Sequence, residues 1–247
     1  MSYHCYADDT QLYIDFNSID CNDISNKLES CLSEIVHWMQ LNRLKLNRDK
    51  TELVLFSPRG RPDFSPNFNL EISSYEVFPV SVVKNLGVFF DKNLSMESQI
   101  NSICKSFYFQ IRNIGKIRRF ISDVACKTLI HSLVISKLDY CNALLYGLPD
   151  KRIDRLQRVQ NCAARVISRT RRNEHISPVL IDLHWLPVKQ RSMFKILLYT
   201  FKALNCLAPV YLSDLLKLYQ PNRSLRSEQK SLLTKPITRT KLYGNAF

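Results

Sequence analysis

Two adjacent carboxylates, Asp8 and Asp9, stand near the start of the chain in the sequence Tyr-Ala-Asp-Asp. After them the side chains alternate, with Leu12, Ile14 and Phe16 on one face, as in a β-strand. The pattern predicts a strand-turn-strand hairpin with both aspartates at its tip. Such carboxylates suit Mg²⁺, and two metal ions can stabilise the attacking and leaving oxygens of phosphoryl transfer. An ordinary acidic turn is the alternative.

The elements that would hold this hairpin follow directly along the chain. Apolar residues at helical spacing predict an amphipathic helix from about Ile24 to Leu41, with an N-cap at Asn22-Asp23. A short apolar strand is predicted at 53–56, after this helix. A hairpin, a helix and a returning strand form half of an α/β palm. A loop rich in Pro, Gly and Ser is predicted at 59–66, and short strands are predicted at 69–73, 75–80 and 85–91.

From Ser95 onward the apolar residues recur at helical spacing. Predicted helices run from about Ser95 to a basic cluster at 116–119, and then over 123–145, 150–167, 189–204 and 211–219. The predicted fold class is therefore α+β, a short antiparallel sheet plus a helix followed by an all-helical region. The domain boundaries expected from this pattern are 1–91, 92–167 and 168–219, with a loosely ordered basic tail at 220–247.

Positive charge is concentrated in the last two-fifths of the chain. Residues 151–247 contain 19 Lys and Arg against 5 Asp and Glu, a net charge of +14, whereas residues 1–150 carry 16 against 17. The asymmetry points to a polyanionic partner, most simply nucleic acid, and a merely soluble basic surface is an equal alternative. No apolar run is long enough to span a bilayer, so a membrane protein is not expected. The eight cysteines form no Cys-x-x-Cys pair, which favours reduced thiols in an intracellular protein.

The sequence around the Asp pair closely resembles the catalytic motif of reverse transcriptases of non-LTR retrotransposons (LINE elements). A second block, from Trp38 to Glu52, resembles the next block of that family at the expected distance. The resemblance implies that Lys50 lies near the incoming nucleotide and gives a proton to the leaving pyrophosphate. A cation placed there would stabilise developing negative charge. A solvated lysine at a strand start is the alternative.

Further blocks resemble the same family in the same order. The run from Lys84 to Asp91 resembles its primer-grip hairpin, in which Lys84 and Gly87 would lie against the primer, although a simple edge-strand glycine is also compatible. The helices that follow are similar in position to a thumb. Runs at 136–142, 160–165 and 183–188 look like the C-terminal region of such elements. The implied partners are an RNA template, a DNA primer, their RNA–DNA duplex and a deoxynucleoside triphosphate, in the cytoplasm and nucleus.

Basic residues in the helical region are candidates for phosphate contact. The connector at 168–173 is the strongest of these, with a solvated linker as the alternative. The candidate set comprises Lys116, Arg118, Arg119, Arg155, Arg158, Arg169, Arg171 and Arg172.

One departure from the family limits the expected activity. The two-metal site of that family uses a further aspartate on an upstream palm strand, and Asp15 lies ~20 Å of extended strand from the turn. The resemblance therefore implies an incomplete two-Mg²⁺ site at Asp8 and Asp9, a chain inactive alone, and marginal stability of residues 1–91. The alternatives are a non-catalytic nucleic-acid-binding retrotransposon remnant and a decayed reading frame without a selected function.

Overall fold

The computed structural model describes residues 1–16, 21–57, 68–72, 75–219 and 232–234. The chain divides into two compact units, Met1–Ser95 and Met96–Phe247. Helices and short antiparallel strand pairs both occur, so the α+β class is confirmed. Of the described helices, none combines the length and apolar character needed to cross a membrane. The loop predicted at 59–66, and all of the predicted tail except 232–234, lie outside the described residues.

In the described part of the N-terminal unit, the strands form three separate antiparallel pairs. These are β1 (Ser2–Tyr6) with β2 (Asp9–Tyr13), β3 (Leu70–Ile72) with β4 (Tyr75–Val77), and β5 (Val82–Asn85) with β6 (Val88–Asp91). The hairpin predicted at the Asp pair is confirmed. The strand predicted at 53–56 is wrong, because only Leu53 forms a bridge, to Pro79. The strand predicted at 75–80 ends at Val77, and β5 was not predicted as a separate strand.

Helix α1 (Cys21–Leu41) covers one side of this unit and confirms the predicted helix. Its first turn already contains Asp23, so Asn22-Asp23 does not form the predicted N-cap. The largest apolar cluster among the described residues of this unit has four buried members: Ile24, Leu28, Phe68 and Leu70. Phe16, at the end of the Asp hairpin, stacks on Phe68 with ring centroids 6.1 Å apart. The hairpin is thus attached to the cluster at its base, and its tip remains exposed.

The helical unit is built around α2 (Glu97–Ile117) and α5 (Asp150–Ser168). Among its described residues, twenty buried ones form one continuous core. Phe107 and Leu156, one from each helix, have no exposed surface. Burial of a large apolar side chain stabilises a fold by about 1.5–3 kcal/mol, so this core carries most of the unit's stability. The helix predicted at 150–167 is confirmed.

The prediction of a single helix over 123–145 is wrong, because four separate helical segments occupy this range. These are α3 (Asp123–Ile130), a π-turn (His131–Ile135), α4 (Ser136–Asp139) and a 3₁₀ turn (Asn142–Leu145). The hydroxyl of Ser136 donates to the carbonyl of Ser132 at 2.6 Å, a side-chain bond that competes with the regular helical pattern. Cys141 then adopts a φ of 51°, which ends the helical path.

Hydrogen bonds join helix α5 and the segment 136–142 to the segment 186–191. The buried Gln160 donates to the carbonyl of Leu186 at 2.9 Å, and Gln157 accepts from the backbone N–H of Val188 at 2.8 Å. Asp139 accepts from Arg191 at 2.7 and 2.8 Å. These bonds fix the start of α7 (Val188–Leu204), which confirms the helix predicted at 189–204. Helix α6 (Ser177–Asp182) was not predicted, and α8 (Val210–Ser213) is much shorter than the predicted 211–219.

Candidate active-site hairpin and basic surface

The Asp pair lies at the tip of the β1–β2 hairpin. Tyr6 and Asp9 are opposite each other in the strand register, so the turn consists of Ala7 and Asp8. Ala7 has a φ of 53°, a left-handed conformation that costs a residue with a Cβ roughly 1–2 kcal/mol. The side chains of Asp8 and Asp9 are both exposed. The sequence therefore places two carboxylates on consecutive residues at a strained, solvent-facing turn.

A second hairpin is hydrogen bonded to the first. The side-chain amide of Gln11 in β2 donates to the side-chain oxygen of Asn85 in β5, over 2.9 Å. The β5–β6 turn that follows contains Leu86, with a φ of 45°, and Gly87, with a φ of 82°. A two-residue hairpin turn with both φ values positive matches the strand twist, which explains the glycine without a ligand. Close approach of Gly87 to a primer stays a prediction.

Lys84 lies in β5 on the same hairpin. It faces Phe89 across the strand pair, and its ammonium lies 5.6 Å from the centre of that ring. The lysine is exposed, so its charge remains available to an anion.

Lys50 ends a 3₁₀ turn (Arg48–Lys50) and is exposed. The hydroxyl of Thr51 donates to the carbonyl of Asn47 at 2.8 Å and closes this turn. In the part of the chain that the structure describes, Lys50 makes no hydrogen bond or ion pair with Asp8 or Asp9. The structure thus brings the two aspartates together at one turn but does not bring the predicted lysine to them.

Two adjacent carboxylates fit Mg²⁺ by the chemistry of their donor atoms. This ion is commonly held by one or two carboxylates together with water and substrate phosphates. Among the described residues, no three His, Cys, Asp or Glu side chains cluster as a metal-binding group. The two carboxylates of Asp8 and Asp9 can supply two of the ligands that such an ion needs.

Arg118, one of the predicted phosphate contacts, is buried. Its guanidinium donates to the carbonyls of Val166 at 2.8 Å and Ile167 at 2.9 Å, which lie in the last turn of α5. It also binds the carboxylate of Asp123, and these interactions hold the pKa of that carboxyl below its usual range. A cation that caps the free carbonyls of a helix end stabilises the helix. Arg118 is withdrawn from solvent, so we remove it from the candidate phosphate contacts.

The contacts of Arg118 have a second consequence, because they join two basic runs. The first is 116–119 at the end of α2, and the second is 169–172 at the end of α5. Arg169, also at the second end, reaches the same carboxylate of Asp123 at 3.5 Å. Exposed basic side chains from both runs therefore flank one junction: Lys116, Arg119, Arg169, Arg171 and Arg172. We call this set the basic surface.

The connector after α5 has a defined conformation. Arg165 donates to the carbonyls of Arg171 at 3.3 Å and Glu174 at 3.0 Å, and Glu174 accepts from the backbone N–H of Arg171. Arg169 ends the helix with a φ of 58°. These contacts order the connector against its helix, which a solvated linker would not require.

Arg155 and Arg158, both on α5, differ in their surroundings. Arg155 is ion-paired with Glu97 and hydrogen bonded to Asn101, both on α2. Glu97 also binds Arg152 at 2.9 Å, and the hydrogen bonds from Arg152 and Arg155 lower the pKa of this carboxyl. Arg155 therefore links the two central helices. Arg158 is exposed and donates to the carbonyl of Asp154 in its own helix, so it remains accessible.

Sequence reasoning missed the internal role of Arg118, although a signal for it exists. Ile111 and Ile114 lie on the buried side of α2, and Arg118, the residue after the helix, continues their spacing of three and four residues. That spacing directs Arg118 inward and the neighbouring Arg119 outward. The Gln11–Asn85 contact left no comparable signal, because it joins residues 74 positions apart.

No protein-family model matches the chain, and no curated protein or solved structure matches it significantly.

Proposed function

We propose that the chain is part of an RNA-directed DNA polymerase of the non-LTR retrotransposon type. The observation that supports this best is the bond between Gln11 and Asn85, which holds the hairpin carrying Asp8 and Asp9 against the hairpin carrying Lys84 and Gly87. A polymerase needs the carboxylates that hold its metal ions close to the element that holds its primer. The bond between Gln11 and Asn85 supports such an arrangement, because it brings the two hairpins into contact.

Each residue has a distinct role in this proposal. Asp8 and Asp9 bind Mg²⁺, which when bound stabilises charge on the attacking and leaving oxygens. Lys84 contacts a phosphate of the primer, and the Gly87 turn allows its backbone to come close. Lys50 donates a proton to the departing pyrophosphate, which requires residues 48–50 to approach the Asp turn. The reaction is attack of a primer 3′-hydroxyl on a deoxynucleoside triphosphate.

The test is primer extension on an RNA template with Mg²⁺. The chain as printed is assayed beside a version extended upstream by a palm strand that carries a further aspartate. We expect the extended version alone to elongate the primer and Asp8→Asn to abolish elongation. Asp15→Asn is the matched control and should be neutral, since Asp15 is an exposed aspartate of the same segment. Elongation that survives Asp8→Asn and Asp9→Asn would refute the proposal.

A second candidate function is nucleic-acid binding without catalysis. The contacts of Arg118 favour it, because they assemble the basic surface from two separate runs of the chain. Each phosphate contact releases counterions, so affinity should fall steeply with salt. Replacing Arg171 and Arg172 by Gln should weaken binding and reduce the salt slope by about one per lost contact. The Asp8→Asn variant should bind as well as the parent chain. Binding that ignores salt would refute this candidate.

A further inference from the structure

Three exposed apolar side chains lie within the basic surface. Phe120 is 74% exposed, Val124 is 76% exposed and Ile117 is 45% exposed. They occupy the end of α2, the 3₁₀ turn Arg118–Phe120 and the start of α3. We call these three side chains the apolar patch. Contact with a phosphate backbone alone gives no reason to expose a large aromatic ring to water.

Phe120 is paired with a cation. The guanidinium carbon of its neighbour Arg119 lies 4.6 Å from the centre of the ring. A base that stacks on an aromatic ring beside an arginine gains contact with the ring and attraction between the cation and its own π-system. The pair therefore offers a stacking surface and a positive charge at adjacent positions.

The turn that carries the ring is held in place by the interior of the unit. Its first residue, Arg118, is the buried side chain that binds the end of α5, and it also donates to the carbonyl of Ile121 at 3.2 Å. Phe120 thus lies between two backbone positions that are fixed from inside. A ring on a backbone that is already ordered costs less conformational freedom on binding than a ring on a flexible loop.

Cations outnumber carboxylates around the patch, although the Asp123 side chain is 76% exposed. The carboxylate that borders the patch belongs to Asp123, which is paired with both Arg118 and Arg169. Lys116 and Arg119 are exposed beside the apolar side chains. An apolar centre with a cationic rim suits a polyanion that also presents flat apolar faces.

We infer that the apolar patch binds an unpaired stretch of nucleic acid, with a base stacked on Phe120 and flanking phosphates bound by Lys116, Arg119 and Arg169. This inference rests on the proposed binding of nucleic acid by the basic surface, and it specifies the form of the ligand. In a duplex the base faces are covered by neighbouring bases, so only a single strand or an unpaired loop can use the ring.

The test measures fluorescence anisotropy with the full chain across a potassium chloride series. The probes are a labelled oligoadenylate RNA, the equivalent DNA, and a duplex of the same length. Phe120→Leu removes the ring but keeps apolar bulk, and we expect it to weaken single-strand binding about ten-fold. Duplex affinity and the salt slope should stay unchanged. Phe109→Leu is the matched control, since Phe109 is 59% exposed on α2.

A second variant gives a direct optical signal. Phe120→Trp should keep single-strand affinity, and its fluorescence should be quenched when a base stacks on it. Circular dichroism of each variant should match the parent, because Phe120 is an exposed side chain.

The outcomes separate the inference from the proposed function. If Phe120→Leu weakens single-strand binding no more than Phe109→Leu while salt-dependent binding persists, the stacking inference fails and the basic surface stands. If the parent chain binds neither the single strands nor the duplex, the stacking inference and the proposed nucleic-acid binding by the basic surface are both overturned. Displacement of the RNA by polyglutamate at equal charge concentration would show that charge alone is recognised, which also overturns the inference.

Discussion

The two units of the chain differ in how well they bury their apolar residues. The helical unit has one core of twenty buried residues, whereas the largest cluster among the described residues of the N-terminal unit has four. The proposed metal ligands lie in the N-terminal unit, at an exposed turn. The large apolar core and the proposed metal ligands therefore lie in different units. A substitution can destabilise the core without changing the ligands, and the reverse.

The largest expected effect is on the unfolding free energy, from alanine substitutions in the apolar clusters of the two units. Leu156→Ala in the helical core should cost about 3–5 kcal/mol of unfolding free energy, because the fully buried site cannot collapse around the cavity. Leu28→Ala in the N-terminal cluster should cost less, about 2 kcal/mol, since few neighbours lose contacts. Urea unfolding can follow each unit separately, because Trp185 lies in the helical core and Trp38 on α1.

Limited proteolysis gives an independent check on the same contrast. Cleavage should begin within residues 1–91 and leave the helical unit intact. Equal resistance of the two regions, or equal costs of the two alanine substitutions, would remove the contrast between the units.

A second prediction concerns Arg118. Arg118→Met keeps the buried stem but leaves the carbonyls of Val166 and Ile167 without their donor, and it should destabilise the helical unit by about 2–3 kcal/mol. Arg119→Met, one position away and exposed, should change stability by less than about 0.5 kcal/mol. Urea unfolding followed at Trp185 measures both. An equal effect of the two changes would contradict the capping role of Arg118.

The contrast between Arg118 and Arg119 also shows what sequence can predict. Long periodic segments such as α1, α2 and α5 were predictable, because their apolar spacing records one buried face. The break at 131–145 was not, since neither the π-turn at His131–Ile135 nor the positive φ of Cys141 changes the apolar spacing. The Asp hairpin was predictable from local alternation. The joining of the two basic runs was not, because a sequence lists cations without showing which of them are buried.

A third prediction concerns pH and the helical unit. The indole N–H of Trp185 donates to Nε2 of His131 over 3.2 Å, which requires a neutral imidazole. Desolvation lowers the pKa of His131, helped by Lys127 and Arg191 and opposed by Asp139. The unfolded chain therefore binds the proton more readily. Neutral His131 therefore contributes to the stability of the folded state. This contribution is complete above pH 6.5, the ordinary pKa of histidine, and is lost as the pH falls through the lowered pKa of the folded state.

Because the His131 side chain is partly exposed, solvent screening keeps the expected loss below about 1 kcal/mol between about pH 7 and pH 5. His131→Gln keeps an acceptor for the indole but cannot titrate in this range, so it should flatten this part of the pH profile. A profile that His131→Gln does not change would exclude this histidine as the cause.

The smallest expected effect is a gain in the N-terminal unit. Leu86 adopts a φ of 45° in the β5–β6 turn, a conformation that asparagine tolerates better than leucine. Leu86→Asn should raise the unfolding free energy of this unit by about 0.5–1 kcal/mol. Gly87→Ala, at a φ of 82°, should lower it. Both are measured from Trp38 fluorescence in a Trp185→Phe background. A lower unfolding free energy with Leu86→Asn would contradict this prediction. It would mean that the contacts of the leucine side chain stabilise the unit by more than the left-handed conformation destabilises it.

The bonds from Arg118 join residues 48 and 49 positions apart. Both halves of the basic surface therefore exist together only after α2 and α5 have closed on each other. A polyanion that spans both runs should bind the closed state more tightly than the open chain, so it stabilises the folded unit. At one hundred times its dissociation constant it would add at most about 2.7 kcal/mol to the stability of this unit, because the open chain also attracts polyanions. Occupancy by nucleic acid would thus protect the helical unit from proteases.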